Sequence, residues 1–252
     1  MNINWQTEMM YGLDYICLNV SEFIFQFVSL LYIYLLFTAG DSETIVGMTM
    51  YDFYLVYIIS ELIMTLSAVS VYPNAVRLRN MIFMGQLDLF LVRPKSNFLI
   101  HNQRSWVAGL ILRLSFFLVI LIYIYHKVSF EWTLENIGLV LFVVISSYLI
   151  LYFLYWNSAY MYFYFPKFDA YYNFVRIADR MGQKPAKLFP RSMQWIFTFA
   201  VPVFLVAGPI YKIIDGTFDL QFLMIIIGVL LVQLLINVLM WRNGIPRYES
   251  AS

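Results

Sequence analysis

The chain has 252 residues, of which 62% are hydrophobic and only 12% are charged, and its mean hydropathy is +0.74. Soluble globular domains carry about 25% charged residues, so this composition excludes a water-soluble fold and indicates a protein embedded in lipid. The formal net charge of +1 provides no overall field for binding nucleic acid. A single cysteine, Cys17, excludes an internal disulfide framework.

The first twenty residues mix polar and apolar side chains and include Trp5, Tyr11 and Tyr15. This pattern favours an amphipathic helix that lies in the membrane interface. The alternative is a cytoplasmic extension of the first membrane span.

Six apolar runs follow, each long enough to cross a bilayer, which takes about 20 residues of helix. They lie near residues 21–39, 51–72, 105–125, 137–163, 192–210 and 220–241. The predicted fold is therefore an all-α integral membrane protein with six transmembrane helices, forming one transmembrane domain over residues 1–252.

The Lys and Arg residues are divided unequally between the two sides of these spans. Only Lys127 and Lys212 fall on one side, whereas thirteen cations fall on the other. The thirteen are Arg77, Arg79, Arg93, Lys95, Arg104, Lys167, Arg176, Arg180, Lys184, Lys187, Arg191, Arg242 and Arg247. Because cytoplasmic loops are enriched in Lys and Arg, both termini are predicted to be cytoplasmic.

Residues for catalysis are not apparent in the sequence. It contains no G-x-x-x-x-G-K-[ST] phosphate loop, and the predicted topology places His101 and His126 on opposite sides of the membrane. No Ser–His–Asp or Cys–His arrangement can be built from Cys17 and a histidine on the same side of the membrane. A nucleophile paired with a base at membrane depth, which an intramembrane hydrolase needs, is not found either. We expect a chain that is not an enzyme and holds neither a metal nor a cofactor.

The first long cytoplasmic loop, residues 72–105, contains the pattern G-x-L-D-x-x-L-x-R-P. Leu87, Phe90 and Leu91 share one helical face, which predicts a short amphipathic helix on the inner membrane surface. Its polar face would be offered to a cytoplasmic partner. The alternative is an ordinary positive-inside loop. The residues assigned to this coupling segment are Met81, Gly85, Leu87, Asp88, Leu91, Arg93 and Pro94, the proline being expected to end the helix.

Prolines mark the region of the fifth span. Pro185 and Pro190 precede it, and Pro202 and Pro209 are expected to kink or end it near the external surface. The segment 209–219 is too short to cross, so a small external helix or half-buried hairpin is predicted before the last span.

The 85–94 pattern, this proline series and the C-terminal residues 247–252 resemble ABC-2 type permeases of bacterial exporters. The resemblance implies a permease subunit in the bacterial plasma membrane that forms half of a translocation pathway. It implies a second permease chain, identical or related, and two ATP-binding subunits that hold ATP and Mg. It also places a coupling helix in residues 72–104 and an external helix in residues 209–219.

Two other classes of function are alternatives to a permease subunit. One is a secondary transporter or channel subunit that works without ATP, which predicts inverted repeats, broken spans or paired acidic residues. The other is an intramembrane enzyme or an assembly factor that does not transport.

Four polar residues fall inside predicted spans. Glu61 and Arg113 lie at similar depths in consecutive spans, so an ion pair is one hypothesis. The alternatives are an Arg113 that extends to the inner headgroups and a protonated Glu61. Gln233 and Asn237 are four apart on one helical face, which favours hydrogen bonds between helices over a substrate path.

Overall fold

The computed structural model describes residues 12–39, 44, 45, 47–91, 109–128, 130–165, 169–184, 186 and 189–248. Within these ranges the regular structure is helical, apart from an isolated β-bridge between Ile45 and Met48.

The helices are α1 (Gly12–Ala39), α2 (Met50–Ser70), α3 (Tyr72–Phe83), α4 (Asp88–Leu91), α5 (Gly109–Ile124), α6 (Leu134–Tyr160), α7 (Asp169–Met181), α8 (Arg191–Trp195), α9 (Phe204–Ile214) and α10 (Leu220–Gly244). A π-helical turn, Ile196–Ala200, continues α8. Single 3₁₀ turns follow α6 at Met161–Phe163 and α10 at Ile245–Arg247.

Four helices of the described region are long and apolar enough to cross a membrane: Val20–Ala39, Met50–Phe83, Leu134–Phe163 and Leu220–Arg247. A fifth is obtained if α8 with its π-helical turn and α9 are counted together, although they meet at an angle of 109°. The apolar part of α5 is shorter. The all-helical membrane fold is therefore confirmed, whereas the count of six spans stays a prediction.

The N-terminal region differs from its predicted form where the structure describes it. Gly12–Val20 belong to the same helix as the first span, as in the alternative of a helical extension. Residues 1–11, which carry most of the predicted interfacial helix, lie outside the described residues.

The second span continues further than hydropathy indicates. After Ser70 a single turn at Val71 leads directly into α3, which ends at Phe83. Pro73 lies in the first turn of α3, where a missing N–H breaks no helical hydrogen bond. The first 12 residues of the predicted cytoplasmic loop are therefore helical.

The fifth predicted span, 192–210, is not a single kinked helix. The chain bends at Pro202, and Pro209 lies inside α9 rather than at its end. Proline removes the N–H that would bond to the carbonyl four residues earlier, which here belongs to Leu205. The hydroxyl of Ser147 on α6 donates to that carbonyl at 2.9 Å. Because the freed oxygen is satisfied by another helix, α9 continues through its proline.

The core lies around α9, which packs against α2 and α6. Seven of its eleven side chains are buried, among them Leu205, Val206 and Ile210. By contrast, α1 and α10 expose large apolar side chains such as Phe27 and Leu231. An apolar outer surface of this kind is suited to contact with lipid.

Candidate functional site

Helices α7 and α9 follow one another along α6, and together they are called the α7–α9 column. Near the C-terminal end of α6, the Tyr162 hydroxyl donates to Asp169, the first residue of α7. Further up α6, the Tyr155 hydroxyl donates to Asp179 at 2.7 Å. Ser147, two more turns along, bonds to α9. The order of contacts shows that the column runs antiparallel to α6 in two helical pieces.

Gly182 is at the junction between the two pieces. A Cβ at this position would lie 2.4 Å from the carbonyl oxygen of Val203, immediately before α9. Only a residue without a side chain allows the end of α7 and the start of α9 to meet so closely. The chain between them, residues 183–202, leaves the column and returns to it.

The N-terminal end of α7 is held on α3. Arg79 forms an ion pair with Asp169 at 3.4 Å, and its guanidinium lies 4.7 Å from the ring centre of Tyr172. The Tyr72 ring, at the start of α3, contacts the rings of both Tyr155 and Tyr172. These contacts fix α7 against α3, the extension of the second span.

A cavity of about 330 Å³ lies beside the junction, between α1, α2 and α7, and is called the junction cavity. Its charged and amide-bearing wall residues are Glu22, Glu61, Asp179, Arg180 and Gln183. The amide of Gln183 donates to the Glu61 carboxylate at 2.5 Å. A carboxylate in the middle of an apolar helix is therefore tied to the chain that leaves α7.

Asp179 has its two carboxylate oxygens in different situations. One accepts the hydrogen bond from Tyr155, while the other is buried and has no hydrogen-bond partner among the described residues. The neighbouring Arg180 points its guanidinium at the ring of Phe25 on α1, 5.3 Å away. The cavity thus combines charged groups with an aromatic wall.

The predicted ion pair between Glu61 and Arg113 is not tested. Arg113 belongs to α5, but its side chain lies outside the described residues. Glu61 is only 8% exposed and has Gln183 as a partner, which sequence spacing did not reveal. The pair therefore stays a prediction.

Gln233 and Asn237 form the interhelical hydrogen bonds expected of them. Both meet Asn157 on α6: its amide donates to Gln233 at 2.9 Å, and its oxygen accepts from the Asn237 amide at 3.0 Å. This three-residue network ties α10 to α6.

The coupling segment has a different form from the single amphipathic helix that was predicted. Met81 belongs to the last turn of α3, and Gly85, at φ 66°, turns the chain before the short helix α4 begins at Asp88. A φ of this sign favours glycine, so the break is built into the sequence. Arg93 and Pro94 lie outside the described residues.

Leu87 also departs from its predicted role. It was expected to face the membrane beside Leu91, yet it is only 1% exposed and is buried within the protein. Its backbone N–H donates to the hydroxyl of Tyr248 at 2.8 Å. Leu91, at 39% exposed, is on the surface.

Sequence reasoning missed α7 and its contacts, although the pattern is present. Tyr172, Val175 and Ala178 are spaced by three and are the buried residues of α7, while Arg176 and Arg180 lie on its exposed side. An amphipathic stripe at helical spacing would have predicted a helix here. It would not have predicted which charges face a cavity.

An all-helical bundle with exposed apolar helices and buried interhelical polar contacts defines a polytopic membrane protein. The chain matches the sequence profile of the family described as ABC-2 family transporter protein over residues 23–252, and it belongs to that family. No curated protein and no solved structure matches the chain.

Proposed function

We propose that the chain is the permease subunit of an ATP-driven exporter in a bacterial plasma membrane. It would form half of a translocation pathway with a second permease chain. Two separate ATP-binding subunits would supply ATP and Mg. Membership of the ABC-2 family of transporter proteins supports transport by this chain, and the geometry of α2 and α3 supports coupling.

The joined helices α2 and α3 are the observation that carries the coupling proposal. They extend over the 34 residues Met50–Phe83, or about 51 Å at 1.5 Å per residue. The hydrocarbon core is about 30 Å thick, so the helical unit is about 20 Å longer than the core. If it starts at the outer face, its end carries Gly85 and α4 out into the cytoplasm, where an ATPase would dock.

In this proposal a movement at the coupling segment is transmitted by a rigid element. Asp88 and Leu91 would contact the ATPase, and α3 would pass the displacement to α2 and, through Arg79, to α7. ATP binding on the partner would then favour one of two permease conformations over the other.

We also propose that the α7–α9 column makes the fifth crossing. Its 13 and 11 helical residues span about 36 Å together, close to the thickness of the hydrocarbon core. Residues 191–200 would then lie beside the crossing instead of forming it. With α5 as a further crossing, this arrangement gives six crossings and both termini on one side. It differs from the sequence prediction in placing Arg176 and Arg180, two of the thirteen cations, within the crossing instead of in a cytoplasmic loop.

Affinity purification tests the coupling proposal. The tagged permease, solubilised in mild detergent from its native host, should retain a chain with an ATP-binding motif, identified by mass spectrometry. Asp88→Lys should reduce that recovery about tenfold or more, because a reversed charge at a desolvated contact costs several kcal/mol.

Glu131→Lys serves as the matched control, because Glu131 is exposed in the loop at the opposite ends of the helices. It should leave the recovery unchanged. Equal recovery of the ATPase with wild type and Asp88→Lys would remove the coupling assignment.

A secondary transporter remains as the second candidate, and one observation favours it. The α7–α9 column is broken next to Glu61 and Asp179, and broken helices beside ionisable groups are found at the substrate sites of ATP-independent transporters. Proteoliposomes that contain the permease alone decide between them. Uptake driven by an ion gradient without any ATPase would support this candidate over the exporter.

A further inference from the structure

We infer that the junction cavity is a binding site for an organic cation, a molecule that carries an ammonium or phosphonium centre on an apolar body. That such a cation is also the transported substrate rests on the proposed function. The binding itself does not depend on any partner chain.

The charge balance of the cavity wall is the first reason. Glu22, Glu61 and Asp179 contribute three carboxylates, against the single guanidinium of Arg180. When these groups are ionised, the wall carries an excess of negative charge in an apolar surrounding. Coulombic attraction for a cation is much stronger there than in water.

The free oxygen of Asp179 is the second and independent reason. Buried polar atoms are nearly always hydrogen-bonded, yet this oxygen has no partner among the described residues, although Asp179 belongs to the cavity wall. A cationic group in the cavity would supply the missing interaction.

The end of α7 adds to the same field. Asp179 is in the last turn of this 13-residue helix, which ends at Met181 beside the cavity. The C-terminal end of a helix carries a partial negative charge from its unpaired carbonyl groups. Because α7 ends at the break in the column, the negative end of its dipole lies beside the cavity in which a cation would bind.

The remaining wall accounts for the apolar part of the ligand. Phe25 and Met64 line the cavity, and aromatic faces attract cations as well as apolar groups. A volume of about 330 Å³ is at the lower end of the range for ligand pockets. It is far larger than a bare metal ion needs and has room for an organic cation.

Tetraphenylphosphonium and tetraphenylborate provide a direct test, since the two ions have nearly the same size and opposite charge. The permease would be reconstituted in nanodiscs, and the saturable binding of each radiolabelled ion to it would be measured. The amount of each ion bound by empty nanodiscs, which reports partition into lipid, would be subtracted. We expect saturable binding of the phosphonium and none of the borate. Binding of both ions to the same extent would overturn the inference.

Three substitutions locate the site. Glu61→Gln and Asp179→Asn keep the size and hydrogen-bonding capacity of each side chain, and each should weaken phosphonium binding about tenfold, which corresponds to 1.4 kcal/mol. Arg180→Met should strengthen it severalfold. A misfolded variant would not bind more tightly, so this third result separates charge from folding.

Glu131→Gln, outside the cavity, is the control and should bind as the wild type does. Unchanged affinity in all three cavity variants would refute the site. The nanodisc assay contains no ATPase, so it is independent of the affinity purification. Absence of cation binding, together with normal recovery of the ATPase in the purification, would contradict this inference and leave the proposed function intact.

Discussion

Ser147 and Pro209 show how a single contact decides the course of a helix. Hydropathy and the proline rule together predict that the helix kinks or ends at Pro209. It continues because Ser147, 58 residues before Leu205 in the chain, donates to the Leu205 carbonyl. No local pattern reveals a partner at that separation. The same limit explains why Gln183 was not foreseen as the partner of Glu61, 122 residues away.

Ser147→Ala should therefore destabilise the protein by about 1 kcal/mol, within the range measured for interhelical hydrogen bonds in membranes. In a Pro209→Ala background the same substitution should cost less, because the restored N–H of residue 209 can bond to Leu205. Thermal unfolding in detergent would measure both effects.

Ser146→Ala is the control for this cycle, since among the described residues the Ser146 hydroxyl bonds to Val143 in its own helix and to no other helix. It should cost the same in both backgrounds. Strict additivity of Ser147→Ala and Pro209→Ala would show that the hydroxyl does not replace the lost N–H.

At the scale of elements, hydropathy located the helices whose character is uniform along their length. The cores of α1, α2, α6 and α10 were found because an apolar run of sufficient length is a local property of the sequence. It failed for α7, which is amphipathic, and for α9, which is only 11 residues long. Neither is recognisable alone, because each is completed by the other across the contact between Gly182 and Val203.

Gly182→Ala tests the closeness of that junction. The added Cβ would meet a backbone oxygen at 2.4 Å, and backbone next to Pro202 cannot move aside cheaply. We expect a loss of about 1–3 kcal/mol, the usual cost of overpacking, measured as a lower unfolding temperature.

Gly208→Ala in α9 is the matched comparison, because nothing lies within 4 Å of a Cβ at that position. Alanine favours a helix over glycine by about 1 kcal/mol, so this variant should be as stable as wild type or more so. Tolerance of Gly182→Ala to the same degree would rule out a close junction.

The whole molecule raises the question of how many times it crosses the bilayer. If the α7–α9 column crosses, the chain passes from the inside at the end of α6 to the outside before α10. If it does not cross, Thr217 stays on the same side as Cys17. The two arrangements differ in the location of the short, exposed loop before α10 and, because α10 itself is long enough to cross, in the side on which the C-terminal end lies.

Thiol labelling in intact cells distinguishes the two arrangements. In a Cys17→Ser background, Thr217→Cys should react with an impermeant maleimide added outside, as the thirteen-to-two distribution of cations requires. Cys17, which is exposed, should react in the wild type only after the cells are made permeable.

The opposite pattern, with Cys17 labelled in intact cells, would invert the topology. A Thr217→Cys variant that is protected until permeabilisation would instead remove the fifth crossing. Both results are read from the same gel, with a membrane-permeant maleimide showing that each cysteine is reactive.

The hydrogen bond between Leu87 and Tyr248 has a consequence for the order in which the protein matures. Its two residues are separated by 161 positions, so the backbone of Leu87 cannot gain this partner until residue 248 has left the ribosome. Until then the turn at Gly85 lacks this hydrogen bond. The turn that precedes α4 is thus closed only after residue 248 has been made, so its closure reports that the helices between residues 87 and 248 have already been synthesised.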